Sequence, residues 1–491
     1  MTTTEKRGGA GRFGLHAAVY LVSNLLMRGL WIVLTPFYTR VMSPQDFAVV
    51  AVANTLTAAL GIVLGLALYG CIPRLYYEQS TEASRRRFLG TLLLFSTVFP
   101  VCVGALLEVL GSLGSLNVFA SVPFRPYLEL VLWTAVLSNL LNLPTTVYMT
   151  REEPRKVAAL NIASGLSQVA ISILLVGVFR QGALGVLRAG LCSAALMGVL
   201  STVLMLRMSK FAPAWSVLRP ALAYCLPLVP HLLANWALSI SDRLVLEKYV
   251  SAGDLGRYSL AYLFSTAVSV VGAAVATPIT PAANRQLGDP ETAKSVPPLG
   301  TYALLIIVAA ALLASVNARE FVSILAPSAY AGAARFVPWV VAGAALQGFY
   351  LVLSTGTWYS KKTAAIPFVS FACVVVNLSL NLALVPRYGA IVAAVSTTVA
   401  YAVAAVLHGL LAHRYHPIPW EYRRWFSIIV AALASFAAVQ WLTLGNAFIA
   451  LAVKSIACLA IFTLSLAAVG FVRREELARV MSRVTSWRTL T

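Results

Sequence analysis

The sequence predicts an all-α polytopic membrane protein of about 14 transmembrane helices, built as two parallel six-helix lobes with two additional helices. Three observations carry that expectation. Of 491 residues, 59% are hydrophobic and 11% charged, against roughly 25% charged in an ordinary soluble protein. Apolar runs recur at a length that crosses hydrocarbon as a helix. Finally, two pairs of short sequence marks return at nearly one displacement. So much apolar side chain exceeds what the available polar surface can hide from water, and lipid is the main solvent expected.

The elements follow in order. Span 1, at 15–38, comes after a basic start and imitates a secretory leader, but it is long enough to cross a bilayer and has no convincing small-residue cleavage site. Gly9, Gly11 and Gly14 match a dinucleotide-binding pattern without the preceding strand that pattern needs. Spans 2 to 6 fall at 48–71, 88–110, 127–149, 157–179 and 183–206. Span 7, at 220–240, contains Pro227 and Pro230, which remove backbone donors and favour a break or kink. Spans 8 to 12 fall at 255–277, 299–317, 336–358, 364–385 and 389–411, and spans 13 and 14 at 425–444 and 448–471. Each approaches or exceeds the roughly 20 residues needed to cross about 30 Å of hydrocarbon. Porin strands would be about half as long and would alternate polar with apolar residues.

Thirty-seven Lys and Arg against seventeen Asp and Glu give a net charge of +20. The basic residues punctuate apolar runs instead of forming one folded patch, so no nucleic-acid partner is expected. With the N-terminus inside, 25 fall in cytoplasmic segments and nine on the opposite side, while Arg28, Arg188 and Lys454 lie within spans. This bias puts both termini in the cytoplasm and the chain in the cytoplasmic (inner) membrane. Six scattered cysteines lie in or beside apolar runs and read as small hydrophobes, with no disulfide framework and no metal spacing.

The internal repeat aligns YTRVMSPQDFAVVAVA after span 1 with LEKYVSAGDLGRYSLA after span 7, pairing Ser43 with Ser251 and Asp46 with Asp254 at an offset of 208. VFRQGALG at 178–185 resembles VPRYGAIV at 385–392, pairing Arg180, Gly182 and Ala183 with Arg387, Gly389 and Ala390 at an offset of 207. Six spans separate equivalent points, so the repeat is parallel, about an axis near the membrane normal. The expected organisation is a lobe at 12–206, a second lobe at 219–412, additional helices over 425–471 and a basic cytoplasmic tail at 472–491.

Intramembrane polar residues are the candidate functional groups. Arg28, near the middle of span 1, suits a phosphate or other anion through its planar donor fork; a structural ion pair and snorkelling are the competing uses. Span 7 places His231 and Asn235 on one face with Asp242 and Arg243 beyond its end, either as a gate or clamp or as a packing helix with an interfacial pair. Arg188 and Lys454 are shallow enough to snorkel, and His408, His413 and His416 read as headgroup or solvent contacts. Asn24, Asn54, Asn139, Asn142, Asn161, Gln168, Asn377 and Asn381 serve either interhelical hydrogen bonding or a hydrophilic surface for sugar hydroxyls.

LLMRGLWIVLTPFYTRVMSPQDFAVVAVA at 25–53, YCLPLVPHLLANWALSISDRLVLEKYVSAGDLGRYSLAY at 224–262 and VPRYGAIVAAVST at 385–397 resemble the Wzx-like oligosaccharide flippases. These are polysaccharide-biosynthesis membrane proteins of the superfamily that also holds multidrug extruders and the peptidoglycan lipid flippase. The resemblance runs from about residue 12 to 471. It implies a transporter and not an enzyme, moving an undecaprenyl-pyrophosphate-linked oligosaccharide to the outer leaflet by alternating access. Glycosyltransferases and a polysaccharide polymerase are its implied partners, and membrane lipids its surroundings. Arg28, Arg188 and Arg243 are the pyrophosphate candidates. Asn24, Asn54, Asn139, Pro227, Pro230, His231, Asn235 and Asp242 are the cavity or gating candidates. No cofactor is expected, and with no Walker motif the membrane potential or an ion gradient is the available drive. The alternative is an ion-coupled multidrug or metabolite antiporter of the same superfamily; a membrane-bound polymerase fits short external loops less well.

Overall fold

The computed structural model describes residues 34–113, 122–288, 290–360, 362 and 365–471. Among these, thirteen helices are long and apolar enough to cross a membrane, from Pro44–Gly65 to Ala447–Ala468. They correspond one to one with spans 2 to 14. Of span 1, only the helical end at 34–41 lies within the described residues. The protein is thus a multi-pass, all-α membrane protein. By contact density it divides into two compact units, Met1–Ser259 and Leu260–Thr491. Span 7 counts with the first unit because its second half packs on span 2, where the Trp236 indole donates to the Thr55 carbonyl at 3.0 Å.

The repeated sequence marks turn out to be helix-start signals. Ser43 caps the helix Pro44–Gly65 in a reciprocal box with Asp46, and the Ser251 hydroxyl receives the Asp254 amide at 3.1 Å where the helix Ala252–Ala276 begins. Such a box satisfies donors that the first helical turn leaves open. The second pair of marks supplies backbone reversal: Gly182 and Gly389 have φ of 55° and 73°, a region glycine enters without steric cost, and the helices Gly182–Met208 and Ala390–Tyr415 start there. In the first unit the two devices meet, since Asp46 also accepts the Ala183 amide at 3.4 Å.

Span 7 is broken where its prolines allow. Trp215–Cys225 ends, Pro227 occupies the N-cap, and Leu228–Ile240 resumes. Pro230 falls in the first turn of the second piece, where its missing N–H had no helical partner to lose. One proline makes the break and the other is accommodated by it.

In the second unit, spans 13 and 14 are fastened by buried polar contacts. At one end, Arg424 pairs with Glu421 at 2.8 Å, and Glu421 accepts from Thr301 at 2.8 Å. Thr301 in turn accepts from the Trp425 indole at 3.0 Å. At the other, Lys454 pairs with Glu320 at 2.6 Å and the Asn317 amide donates to Ser455 at 3.1 Å. Lys454 is only 2% exposed, which corrects the snorkelling expectation: a carboxylate lies close enough to receive its ammonium inside the protein. His408 is likewise buried instead of at a headgroup or in solvent, its ring stacked on Tyr350 at 5.0 Å.

Candidate functional site: a polar cavity in the first unit

Four helices of the first unit enclose a cavity of about 570 Å³, within the roughly 300–1,000 Å³ usual for small-ligand sites. Its walls are stripes at helical spacing. Asn54 and Thr57 come from span 2, Thr134, Ser138 and Asn142 from span 4, Ser164 and Gln168 from span 5, and Gly190 and Ser193 from span 6. Residues three, four and eight apart share a helix face, so each span turns a mixed polar stripe toward the same space. No ionisable side chain occurs among the described lining residues.

The hydroxyls are partly committed. Thr57 donates to the Ala53 carbonyl at 2.9 Å and Thr134 to that of Leu130 at 2.6 Å, while Ser193 lies 2.7 Å from Ser167. Their oxygens still accept. The side-chain amides of Asn54, Asn142 and Gln168 have no hydrogen-bond partner among the described residues. Gly190 keeps the space beside them open: a Cβ there would stand 4.0 Å from the Gln168 amide nitrogen. The neutral donors and acceptors of the described lining suit hydroxyl-rich groups.

A second cavity of about 280 Å³ shares Thr57, Ser138 and Asn142 with the first and adds Tyr69, Asn139 and Leu232. Asn139 is buried and donates to the Ala135 carbonyl of its own helix at 3.0 Å. Span 2 accommodates it through Gly65, where a Cβ would fall 2.5 Å from the Asn139 side-chain oxygen. Leu232 brings the second piece of span 7 to this cavity. On that piece the Asn235 amide lies 3.1 Å from the His231 ring, as their spacing requires. The other His231 ring nitrogen is buried without a partner among the described residues.

Asp242 and Arg243 lie beyond the break, 2% and 9% exposed. Arg243 is 3.5 Å from the Asp242 carboxylate, and the Tyr258 hydroxyl donates to that carboxylate's second oxygen. Burial pushes the Asp242 carboxyl above its ordinary range, against the pull of Arg243 and Tyr258. Arg188 is exposed near the start of its helix and donates to Gln181 at 2.8 Å. Neither Arg188 nor Arg243 lines either cavity. Arg28 and Asn24 lie outside the described residues.

Sequence reasoning had named Asn54, Asn139, Asn142 and Gln168 and passed over the cavity's serines and threonines. Their signal was present as hydroxyls recurring at three- and four-residue spacing on spans 4 and 5, but in an apolar helix a hydroxyl bonded to its own backbone gives the same pattern. In the second unit Asn377 and Asn381 show the packing use. Asn381 donates to Asn377 at 3.1 Å and Asn377 to Thr397 of the next span at 3.2 Å.

Residues 15–285 match the family model described as polysaccharide biosynthesis protein. No curated protein sequence matches the chain. Among solved structures, the fold is similar to the lipid II flippase MurJ in an inward closed conformation. That match has a TM-score of 0.69 at 14% identity and covers 92% of this chain and 97% of that one. An inward-facing multidrug resistance MATE family transporter of the MOP superfamily aligns with a TM-score of 0.61 at 13% identity, over 79% and 94% of the two chains. A MATE transporter from Vibrio cholerae aligns with a TM-score of 0.53 at 14% identity, over 86% and 100%.

Proposed function

Because the chain belongs to the polysaccharide biosynthesis protein family, we propose that it flips an undecaprenyl-pyrophosphate-linked oligosaccharide from the cytoplasmic to the outer leaflet by alternating access. The observation that carries the reading is the cavity of the first unit, whose described lining residues are all uncharged and whose Asn54, Asn142 and Gln168 amides have no partner among the described residues. Sugar hydroxyls both donate and accept, and a wall of amides and hydroxyls answers them without the desolvation cost of a fixed charge. The polyprenyl tail stays in hydrocarbon while the glycan crosses in a hydrated interior. A drug antiporter needs a carboxylate at its cation site, and the described residues of the cavity lining have none.

In this reading the lobes 12–206 and 219–412 are the two halves that alternate, Arg28 meets the pyrophosphate, and both termini face the cytoplasm. The similar fold of the lipid II flippase supports the architecture. Buried Asp242, its carboxyl raised by burial and beside Arg243, is the group through which an ion gradient would couple.

The deciding experiment fills the cavity. Gly190→Leu puts a side chain into the space beside Gln168, where a Cβ meets only ordinary contacts. Purified protein is reconstituted into vesicles with a lipid-linked oligosaccharide, and the fraction reaching the far leaflet is followed with a membrane-impermeant glycan-modifying enzyme. Wild-type protein should accelerate translocation, and Gly190→Leu should remove that acceleration at unchanged melting temperature. Wild-type-like transport by the variant would sink the cavity's role. No acceleration by the wild type in either direction, with or without an ion gradient, would sink the flippase reading itself.

A further inference from the structure

The second unit holds a cavity of another chemistry. It measures about 840 Å³ and lies where span 9 ends, span 10 begins and spans 13 and 14 approach each other. Arg319 follows span 9, Arg335 precedes span 10, and Lys454 contributes from span 14, with no carboxylate among the described lining residues. Arg319 has no partner among the described residues. Gln440 and Ser328 add neutral polar groups, while Phe436 forms part of an apolar wall.

The arrangement has depth. Both arginines are exposed, whereas Lys454 is 2% exposed and lies two turns into the helix Ala447–Ala468, about 10 Å from its start at the usual rise per residue. Glu320 receives one of the three Lys454 donors at 2.6 Å and holds the ammonium in place. A cavity with two guanidiniums at its mouth, a Glu320-paired ammonium deeper inside and an apolar wall alongside suits an anion held at the mouth. Among anions, a phosphate presents three or four acceptors that planar guanidinium forks and an ammonium can meet together.

We propose that this cavity is a binding site for a phosphate group, carried on an anionic lipid headgroup or free in solution. The site is separate from the neutral cavity of the first unit, and nothing in its argument depends on the glycan reading. Phosphate on a lipid would place its chains against the apolar wall beside Phe436; free phosphate would use only the cations.

Delipidated full-length protein is titrated with phosphatidic acid, with diacylglycerol of the same chains, and with inorganic phosphate, and bound species are counted by native mass spectrometry. Arg319→Gln/Arg335→Gln is the test variant; because Arg335 also lies over the Phe336 ring at 4.6 Å, its melting temperature is measured alongside and must match the wild type. Arg86→Gln/Arg87→Gln, on an exposed basic segment elsewhere, is the control. The test variant should lose about tenfold or more in phosphatidic acid affinity while the control keeps it, as expected when two charge-assisted contacts go. Retained phosphatidic acid with no diacylglycerol and no free phosphate identifies a lipid headgroup as the source. Saturable inorganic phosphate, lost in the same variant, identifies free phosphate. Equal affinities in the wild type and the test variant, or no retention of either phosphate form by the wild type, overturns the proposal. Because no glycan or transport enters these measurements, their failure leaves the flippase reading untouched.

Discussion

Two groups of amide side chains, one in each unit, are used in opposite ways. In the first, Asn54, Asn142 and Gln168 face a cavity with their amides unpartnered among the described residues. In the second, Asn377, Asn381, Asn317 and Gln347 each donate to another side chain: Thr397, Asn377, Ser455 and Tyr401, at 3.2, 3.1, 3.1 and 3.1 Å. An amide left without a partner in an apolar surround costs several kcal/mol, about 4–8 by transfer to a solvent that cannot hydrogen-bond. Groups in the first arrangement therefore persist only where water or a ligand reaches them. The three first-unit amides line a cavity and the four second-unit amides are tied to other side chains, and the distinction lies in the partners, not in residue type.

The largest effect expected from this contrast concerns stability, in the second unit. Lys454→Met leaves Glu320 buried without its ammonium, and removing one member of a buried pair costs about 3–5 kcal/mol. Spans 13 and 14 should loosen together, lowering the midpoint of a detergent-denaturation titration, while Lys454→Met/Glu320→Met should recover most of the loss. If the single variant melts like the wild type, the pair is not a fastening and the lock in this unit is weaker than its geometry suggests.

Next comes the first unit, where the effect should fall on transport and spare stability. Replacing Asn54, Asn142 and Gln168 together with Leu removes three amides that have no partner among the described residues. At about 1 kcal/mol net for each lost contact to substrate, translocation should slow about a hundredfold. The denaturation midpoint should hold or rise, because apolar side chains replace unpaired amides. A fall in stability comparable to that of Lys454→Met would erase the contrast between the units.

How much of this the sequence contained depends on the range of each interaction. Helix positions were legible from hydropathy because crossing hydrocarbon sets a length that composition alone reveals, and all thirteen described spans fall where expected. The break at Pro227 was legible because a proline acts on its own backbone. The repeat marks were visible as letters before their meaning was: Ser43 with Asp46 is a cap, and Gly182 a reversal. Lys454 and His408 were misread because depth along a span does not tell which side of the helix meets protein. Glu320, the partner that buries Lys454, is 134 residues away. The pairs Asn377/Asn381 and Asn139/Asn142 have nearly the same spacing, yet one is locked and the other lines cavities. That outcome depends on Thr397 in one neighbouring span and Gly65 in another, which no local pattern encodes.

Asn377→Ala sharpens the comparison at a smaller scale. It strips Asn381 of its acceptor and Thr397 of its donor, both within the second unit. Interhelical hydrogen bonds between membrane spans are worth about 1–2 kcal/mol in model peptides, so the denaturation midpoint should drop measurably. Transport per folded molecule should stay near wild type. Transport loss at unchanged stability would move Asn377 into the class of the first-unit amides.

Asn139 is the case between the classes, and the smallest effect should come from it. It lies in the first unit and lines the smaller cavity, yet it is buried and its amide donates to the Ala135 carbonyl at 3.0 Å. That carbonyl is also positioned for the regular helical bond from the Asn139 amide four residues on, so removing the side chain orphans no backbone group. Asn139→Ala also vacates the space beside Gly65, which is open to Asn139 because no Cβ stands there. Stability should therefore change by about 0.5 kcal/mol or less, and transport by about twofold or less. If partnership decides function, Asn139 must be far more tolerant than Asn142 three residues along the same helix. Parallel measurement of Asn139→Ala and Asn142→Ala in the vesicle assay tests that difference directly. Equal and severe losses would mean that position around the cavities, and not the absence of a protein partner, marks the residues on which transport depends.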